Sequence, residues 1–131
     1  MFIRRISLML TPEFARRFSQ EWINAWNNHD LEEILSHYAE EIEFSSPLVV
    51  QVLGIQDGTL RGKKALKEYF QKGLELIPGL KFTFENTALG ANSLTVLYRN
   101  STGVLSAETM VIGEDGKVIK AMAQYTIPGE K

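Results

Sequence analysis

The sequence predicts an α+β fold in which three N-terminal helices pack on one face of a mostly antiparallel sheet. Apolar residues recur at three- and four-residue spacing as far as Ile77, and from Phe82 onward the period changes to two. Pro78 and Gly79, which stop a helix, stand at the changeover. A block of helices followed by a block of strands joined by short turns is the pattern of helices segregated to one side of a meander.

The elements follow in order. MFIRRISLML pairs two arginines with an apolar run too short for a secretory signal and without its small-residue cleavage site, so residues 1–10 are expected to be a disordered or weakly packed lead-in to one domain over 11–131. Thr11, Pro12 and Glu13 supply a hydroxyl cap, a proline at the first helical position and an acid at the positive helix end. That first helix runs to about Asn28, with Phe14, Phe18, Trp22, Ala25 and Trp26 on one face. Asp30 and Glu33 form a capping box for a short helix over Leu31–Tyr38, after a corner at Asn28 and His29. Ile42, Phe44 and Ser46 alternate with Glu43 and Ser45 in a strand ended by Pro47. The stretch from Leu48 to Leu60 carries Gly54, Asp57 and Gly58 and reads as an extended loop. Leu66, Tyr69, Phe70, Gly73, Leu74 and Ile77 mark a third helix over Gly62–Ile77. Strands follow at Phe82–Glu85, Leu94–Tyr98, Val104–Ile112 and Val118–Tyr125, separated by turns at Asn92-Ser93, Ser101-Thr102-Gly103 and Glu114-Asp115-Gly116.

Bulk properties narrow the function. At 131 residues, 44% hydrophobic and 23% charged, the chain resembles an average globular domain, which buries roughly two-thirds of its unfolded surface. Fourteen Lys and Arg against 16 Asp and Glu give a net charge of -2, so no nucleic-acid partner is expected. The absence of cysteine removes disulfides and thiol chemistry, and the cytoplasm is the default compartment. No stretch approaches the ~20 apolar residues of a membrane span, so no membrane partner is expected. His29 and His37 have no second ligand at metal spacing and read as a corner and a surface histidine, so no metal is expected. Gly54, Gly58 and Gly62 do not form a phosphate-cradling loop, and nothing suggests a flavin or nicotinamide site, so no cofactor is expected.

An aromatic first-helix face ending in WNNHDLEEI, the strand end FSSP, the helix opening GTLRGKKALKEYF and the hairpin ETMVIGEDGKVIKAMAQY together resemble the nuclear transport factor 2-like superfamily, in particular its SnoaL-like branch. The resemblance covers Thr11 to Tyr125. It implies a cone-shaped fold, a strongly curved sheet enclosing an apolar pocket, and a homodimer formed through the sheet's outer face. Fold alone does not imply activity. The ketosteroid isomerases of the superfamily are the most informative comparison. Their base, just before the proline of the first strand, falls here on Ser46; their first-helix tyrosine, eight residues before Asp30, on Trp22; and a supporting tyrosine on Phe70. Their second aspartate, kept protonated as a donor, falls on Glu108, eight residues before Gly116. Three of the four polar groups are replaced, and a serine cannot abstract a proton unaided, so that isomerase mechanism is not expected. A limonene-epoxide-hydrolase-like site would need an arginine between two carboxylates; Arg99 is available, but strand alternation points it away from the apolar face of Leu94, Val96 and Tyr98.

The candidate site is therefore Glu108 as the acid, with Trp22, Trp26, Ser46, Phe70, Tyr98 and Tyr125 around the ligand, Tyr125 by its match to a pocket tryptophan of the isomerases. Glu108 lies among apolar neighbours in a strand expected to be central, where an unpaired carboxylate is costly. The competing arrangement places it on the outer face beside a lysine, and aromatics at these spacings also serve as plain core. Two functions fit. One is a pocket for a small, mostly apolar molecule bearing one or two oxygens, with cofactor-free isomerisation, cyclisation or dehydration as the chemistry if there is turnover. The other is a non-catalytic dimeric association module with a vestigial pocket.

Overall fold

The computed structural model describes residues 10–127. The expected lead-in, apart from Leu10, lies outside the described residues. Helices α1 (Pro12–Asn27), α2 (Leu31–Leu35), α3 (Pro47–Leu53) and α4 (Lys63–Leu76) pack on a mixed sheet of β1 (Tyr38–Ser45), β2 (Thr59–Arg61), β3 (Thr83–Leu89), β4 (Ser93–Arg99), β5 (Leu105–Ile112) and β6 (Val118–Tyr125). The sheet is open, in the order β2-β1-β6-β5-β4-β3, so the α+β expectation holds.

Local chemistry accounts for the ends of α1. The Thr11 hydroxyl accepts from the Phe14 N–H at 3.1 Å, and the Asn28 N–H closes the last turn on the Asn24 carbonyl. The following corner uses His29 at φ 56, whose Nε2 donates to the Leu80 carbonyl at 2.9 Å. Asn27 ties α1 to the sheet: its Oδ1 accepts from the Phe82 N–H at 2.7 Å and its Nδ2 donates to the Phe82 carbonyl at 2.9 Å. Asn27→Ala leaves both backbone groups of Phe82 unmatched, and a loss of about 1–3 kcal/mol in urea unfolding is expected. A loss under about 0.5 kcal/mol would show that water replaces the side chain at no cost.

β3 runs on to Leu89, four residues past its expected end at Glu85, and two other elements differ in kind. α2 ends at Leu35 instead of Tyr38, because the Ser36 hydroxyl donates to the Glu33 carbonyl at 2.6 Å and the His37 carbonyl already accepts from the Val118 N–H at 2.8 Å. The chain has turned into β1, and Tyr38 is a strand residue. His37 is buried and not a surface histidine: its Nδ1 donates to the Glu33 carbonyl at 3.0 Å and its Nε2 lies 3.9 Å from Glu21.

The second difference is the segment expected to be an extended loop, which contains α3 and β2. Ser46 caps α3, with its Oγ accepting from the Leu48 N–H at 3.1 Å, Pro47 takes the first turn, and Gly54 closes it at φ 73. Gly58, at φ +64, returns the chain beside the cap; a Cβ there would stand 3.0 Å from the Ser46 carbonyl oxygen. β2 then pairs antiparallel with the end of β1, Phe44 opposite Leu60.

β6 lies between β1, with which it runs parallel, and β5, with which it runs antiparallel. Strict alternation buries Leu94, Val96 and Tyr98 on β4 and Ser106, Glu108, Met110 and Ile112 on β5, all toward the helices. On the opposite face Thr95, Thr109 and Gln124 form a hydrogen-bonded row across three strands. Irregular register in the β1/β6, β3/β4 and β5/β6 pairs marks the places where strands bend. α1 lies against β3, α4 against β1 and β2, and between these helices and the inner sheet face the packing is incomplete.

Candidate functional site

The incompletely packed region is a cavity of about 270 Å³. α1 contributes Trp22 and Trp26, α4 contributes Tyr69, Phe70 and Gly73, and the strands contribute Phe44, Tyr98, Glu108, Ala123 and Tyr125. Leu48 of α3 and Ile77, which are 36% and 44% exposed, join Asn100, Ser101 and Thr102 of the β4–β5 turn at its mouth. Six of the seven predicted site residues therefore meet on one wall surface. Ser46 is the exception: it is buried behind the lining, where its hydroxyl caps α3 and reaches Tyr69 and Tyr125, which do line the cavity.

Register explains the position of Glu108. It sits on β5 opposite Val96 of β4 and Ala123 of β6, and Tyr98 is the diagonal neighbour on its own face. The residue is 4% exposed, and Tyr98 Oη donates to its Oε1 at a long 3.4 Å. Its Oε2 has no protein partner among the described residues and is not sealed in by them, so the open direction is the cavity. Burial pushes its pKa up to about 8, against a smaller lowering by Tyr98. At neutral pH the group is mainly a carboxylic acid, able to donate to a ligand oxygen and, after losing its proton, to accept one back. No Lys, Arg or His lines the cavity, so only the Tyr98 hydroxyl favours the carboxylate there, and burial outweighs it.

Four tyrosines surround this acid. Burial first, and then repulsion from an ionised Glu108, raises Tyr38, Tyr98 and Tyr125 above the ordinary phenol value. Tyr69 is raised by burial, partly opposed by the Ser46 hydroxyl, so Ser46 acts on the site through tyrosines. All four remain neutral donors at any physiological pH. Tyr38 itself is deep in the core, where its Oη accepts from Trp22 Nε1 at 3.0 Å. The Trp22 indole N–H is thus used internally, leaving only its ring for the cavity.

The walls are a continuous aromatic layer. Phe82 and Tyr98 rings lie 4.5 Å apart, Trp26 meets Phe70 edge-on at 4.8 Å, and Trp22 stands against Tyr98 at 5.5 Å and Phe82 at 5.8 Å. Arg99 lies outside, 3.4 Å from Glu85, which leaves no arginine for an epoxide-opening arrangement at this cavity. Among the described residues no three His, Asp or Glu come together as a metal site, and no helix is long and apolar enough to cross a membrane.

Several wall residues carry no mark of their role in the sequence. Tyr69 belongs to the apolar face of the third helix and reads only as core, Tyr38 continues the helical spacing of Leu31, Ile34 and Leu35, and Asn100 sits in a turn whose chemistry explains it without reference to a ligand.

Comparison with known proteins places this geometry. The family model of the SnoaL-like domain matches residues 19–131. Among solved structures, a SnoaL-like protein of unknown function from Burkholderia thailandensis E264 is 44% identical, with 91% of this chain and 99% of that chain covered and a TM-score of 0.88. A candidate ketosteroid isomerase from Kribbella flavida DSM 17836 shares 15% identity over 91% of this chain and 82% of its own, with a TM-score of 0.71. TerC, co-crystallised with polyporic acid, shares 16% over 86% and 92%, with a TM-score of 0.70. No curated protein matches.

Proposed function

The chain belongs to the SnoaL-like domain family, and from that premise we propose that it binds a small, mostly apolar, oxygenated molecule in the cavity, with Glu108 as the acid that holds and protonates a ligand oxygen. The observation that carries this reading is the free Oε2 of a buried, neutral Glu108 at the wall of an aromatic cavity. Because that oxygen opens to the cavity and is not sealed in protein, a bound molecule can reach it. The co-crystallisation of TerC with polyporic acid supports a small organic ligand for this fold. Where the bound molecule turns over, the chemistry suited to one acid without a second base is cofactor-free isomerisation, cyclisation or dehydration, with Glu108 giving and regaining a proton. Tyr98 positions that acid, and Trp22, Trp26, Phe70 and Tyr125 provide the apolar walls.

The cavity volume favours this over a purely associative role. Association through the uncovered sheet face belongs to the same proposal: Leu97, Ala107, Val111 and Met122 are half-buried there beside the Thr95–Thr109–Gln124 row, a mixture suited to a second copy.

Thermal-shift screening of wild type and Glu108→Gln against ketonic and hydroxylated hydrophobes tests the binding reading. A true ligand at 100 times its Kd is expected to stabilise the wild type by about 2.7 kcal/mol, with a smaller rise in the variant. If no compound raises the wild-type midpoint while light scattering still gives a dimer, the association module replaces this reading.

A further inference from the structure

The mouth of the cavity holds a second polar group that the acid chemistry does not use. Asn100 follows β4, and its Oδ1 accepts three hydrogen bonds: from the Thr102 N–H at 3.0 Å, the Thr102 hydroxyl at 2.9 Å and the Val104 N–H at 3.0 Å. Backbone N–H groups can only donate, so the atom facing them is the oxygen, and the amide nitrogen faces the other way. That nitrogen has two N–H donors, no protein partner among the described residues, and is not sealed from open space. Asn100 is also a cavity-lining residue. The turn around it is fixed: Asn100 N–H donates to the Val104 carbonyl at 3.0 Å, Gly103 N–H to the Asn100 carbonyl at 2.9 Å, and the Ser101 hydroxyl accepts from the Lys81 N–H at 2.9 Å. Its donors are held in place before anything binds, which lowers the ordering cost of using them.

Register sets the two groups apart along the sheet. Glu108 lies opposite Val96, and the Cα of Asn100, just past the end of β4, is four residues on from that of Val96, roughly 13 Å at ~3.3 Å per residue. The Glu108 carboxyl reaches toward Tyr98, so the polar atoms stand closer than this backbone offset. Between the two polar ends the wall is aromatic, and no basic side chain offers a counter-charge to an anion.

We propose that the Asn100 amide is a specificity-determining ligand donor, and that the molecule bound here is uncharged and elongated, with one oxygen at Glu108 and a second, hydrogen-bond-accepting oxygen at the far end for Asn100. This rests on the cavity being a binding site. A turn asparagine serving structure alone would use its Oδ1 as observed, and its nitrogen would make no difference to any ligand.

Calorimetric titration with 6-methoxy-2-naphthol and 6-ethyl-2-naphthol separates the two. Both carry a hydroxyl for Glu108, and only the first has an acceptor at the opposite end of the fused rings. Wild type is expected to bind the methoxy compound about 3- to 10-fold more tightly, the worth of one neutral hydrogen bond. Asn100→Asp retains an acceptor for all three turn bonds and loses both donors, so the ratio of the two affinities should fall to one or invert. Glu108→Gln should weaken both compounds and keep their ratio. Equal binding of the two by wild type, or an unchanged ratio in Asn100→Asp, overturns the role of Asn100 and leaves the cavity reading standing. No binding of either compound to wild type overturns both. The wild-type comparison needs no substitution, so a variant that fails to fold does not blunt the test.

Discussion

Glu108→Gln is expected to be more stable than wild type in mildly alkaline solution, and to lose most of the wild type's pH dependence between about pH 5 and 8. The folded protein holds Glu108 as an acid with a pKa near 8, whereas an unfolded chain ionises it near the ordinary value of 4.5. Below pH 4.5 both states carry the proton and the group is neutral in the balance. Between 4.5 and 8 the folded state binds the extra proton, so stability falls as pH rises, and above 8 the loss is complete. The full change is on the order of 5 kcal/mol. Glutamine keeps the shape and one acceptor but cannot ionise, so its urea midpoint should be nearly flat across this range. Curves for the two proteins that run parallel from pH 5 to 9 would mean that the carboxyl group is solvated, and the proposed acid would lose its basis.

Trp22→Ala is expected to cost about 3–5 kcal/mol, the range for removing a fully buried aromatic. Trp22 is 1% exposed and joins three systems: the cavity wall, the ring stack with Phe82 and Tyr98, and the hydrogen bond to Tyr38. Truncation enlarges the cavity and leaves the Tyr38 hydroxyl buried without its donor. Trp22→Phe separates these contributions in part, since it keeps one ring of the packing while losing the indole N–H and the remainder of the fused ring. Thermal and urea unfolding measure both. A cost for Trp22→Ala below about 1.5 kcal/mol would show that the region collapses freely, and that the cavity is not a rigid space.

Most of the fold was legible because period and punctuation agreed. Val118–Tyr125 is alternating and bounded by Gly116, and the strand has the predicted ends. Thr11-Pro12 and Asp30 capped the helices they announced. α3 was missed because Pro47–Leu53 holds three valines among its seven residues, a composition that favours extended chain, although Ser46-Pro47 and Gly54 carried the correct start and stop signals. Tyr38 continued the helical spacing of Leu31, Ile34 and Leu35, and only the distant strand at Val118 pulled it into the sheet. The inward direction of Glu108 could be inferred from alternation once a resemblance had supplied the face. The position of Ser46 could not, because it depends on whether the next residues turn into a helix. Asn100 was invisible as a site residue, since the meeting of its turn with the end of α4 is a tertiary event.

The central place of β6 carries a consequence for how the protein assembles during synthesis. β1 is made early, yet its neighbour in the sheet is β6, and partners such as Phe44 and Ala121 are far apart along the chain. Until β6 has left the ribosome, β1 and β2 can form only an isolated hairpin-like pair, and the β3–β5 meander has no route to join them. A nascent chain halted before Val118 would expose two half-sheets with their apolar sides uncovered, a natural target for holding chaperones.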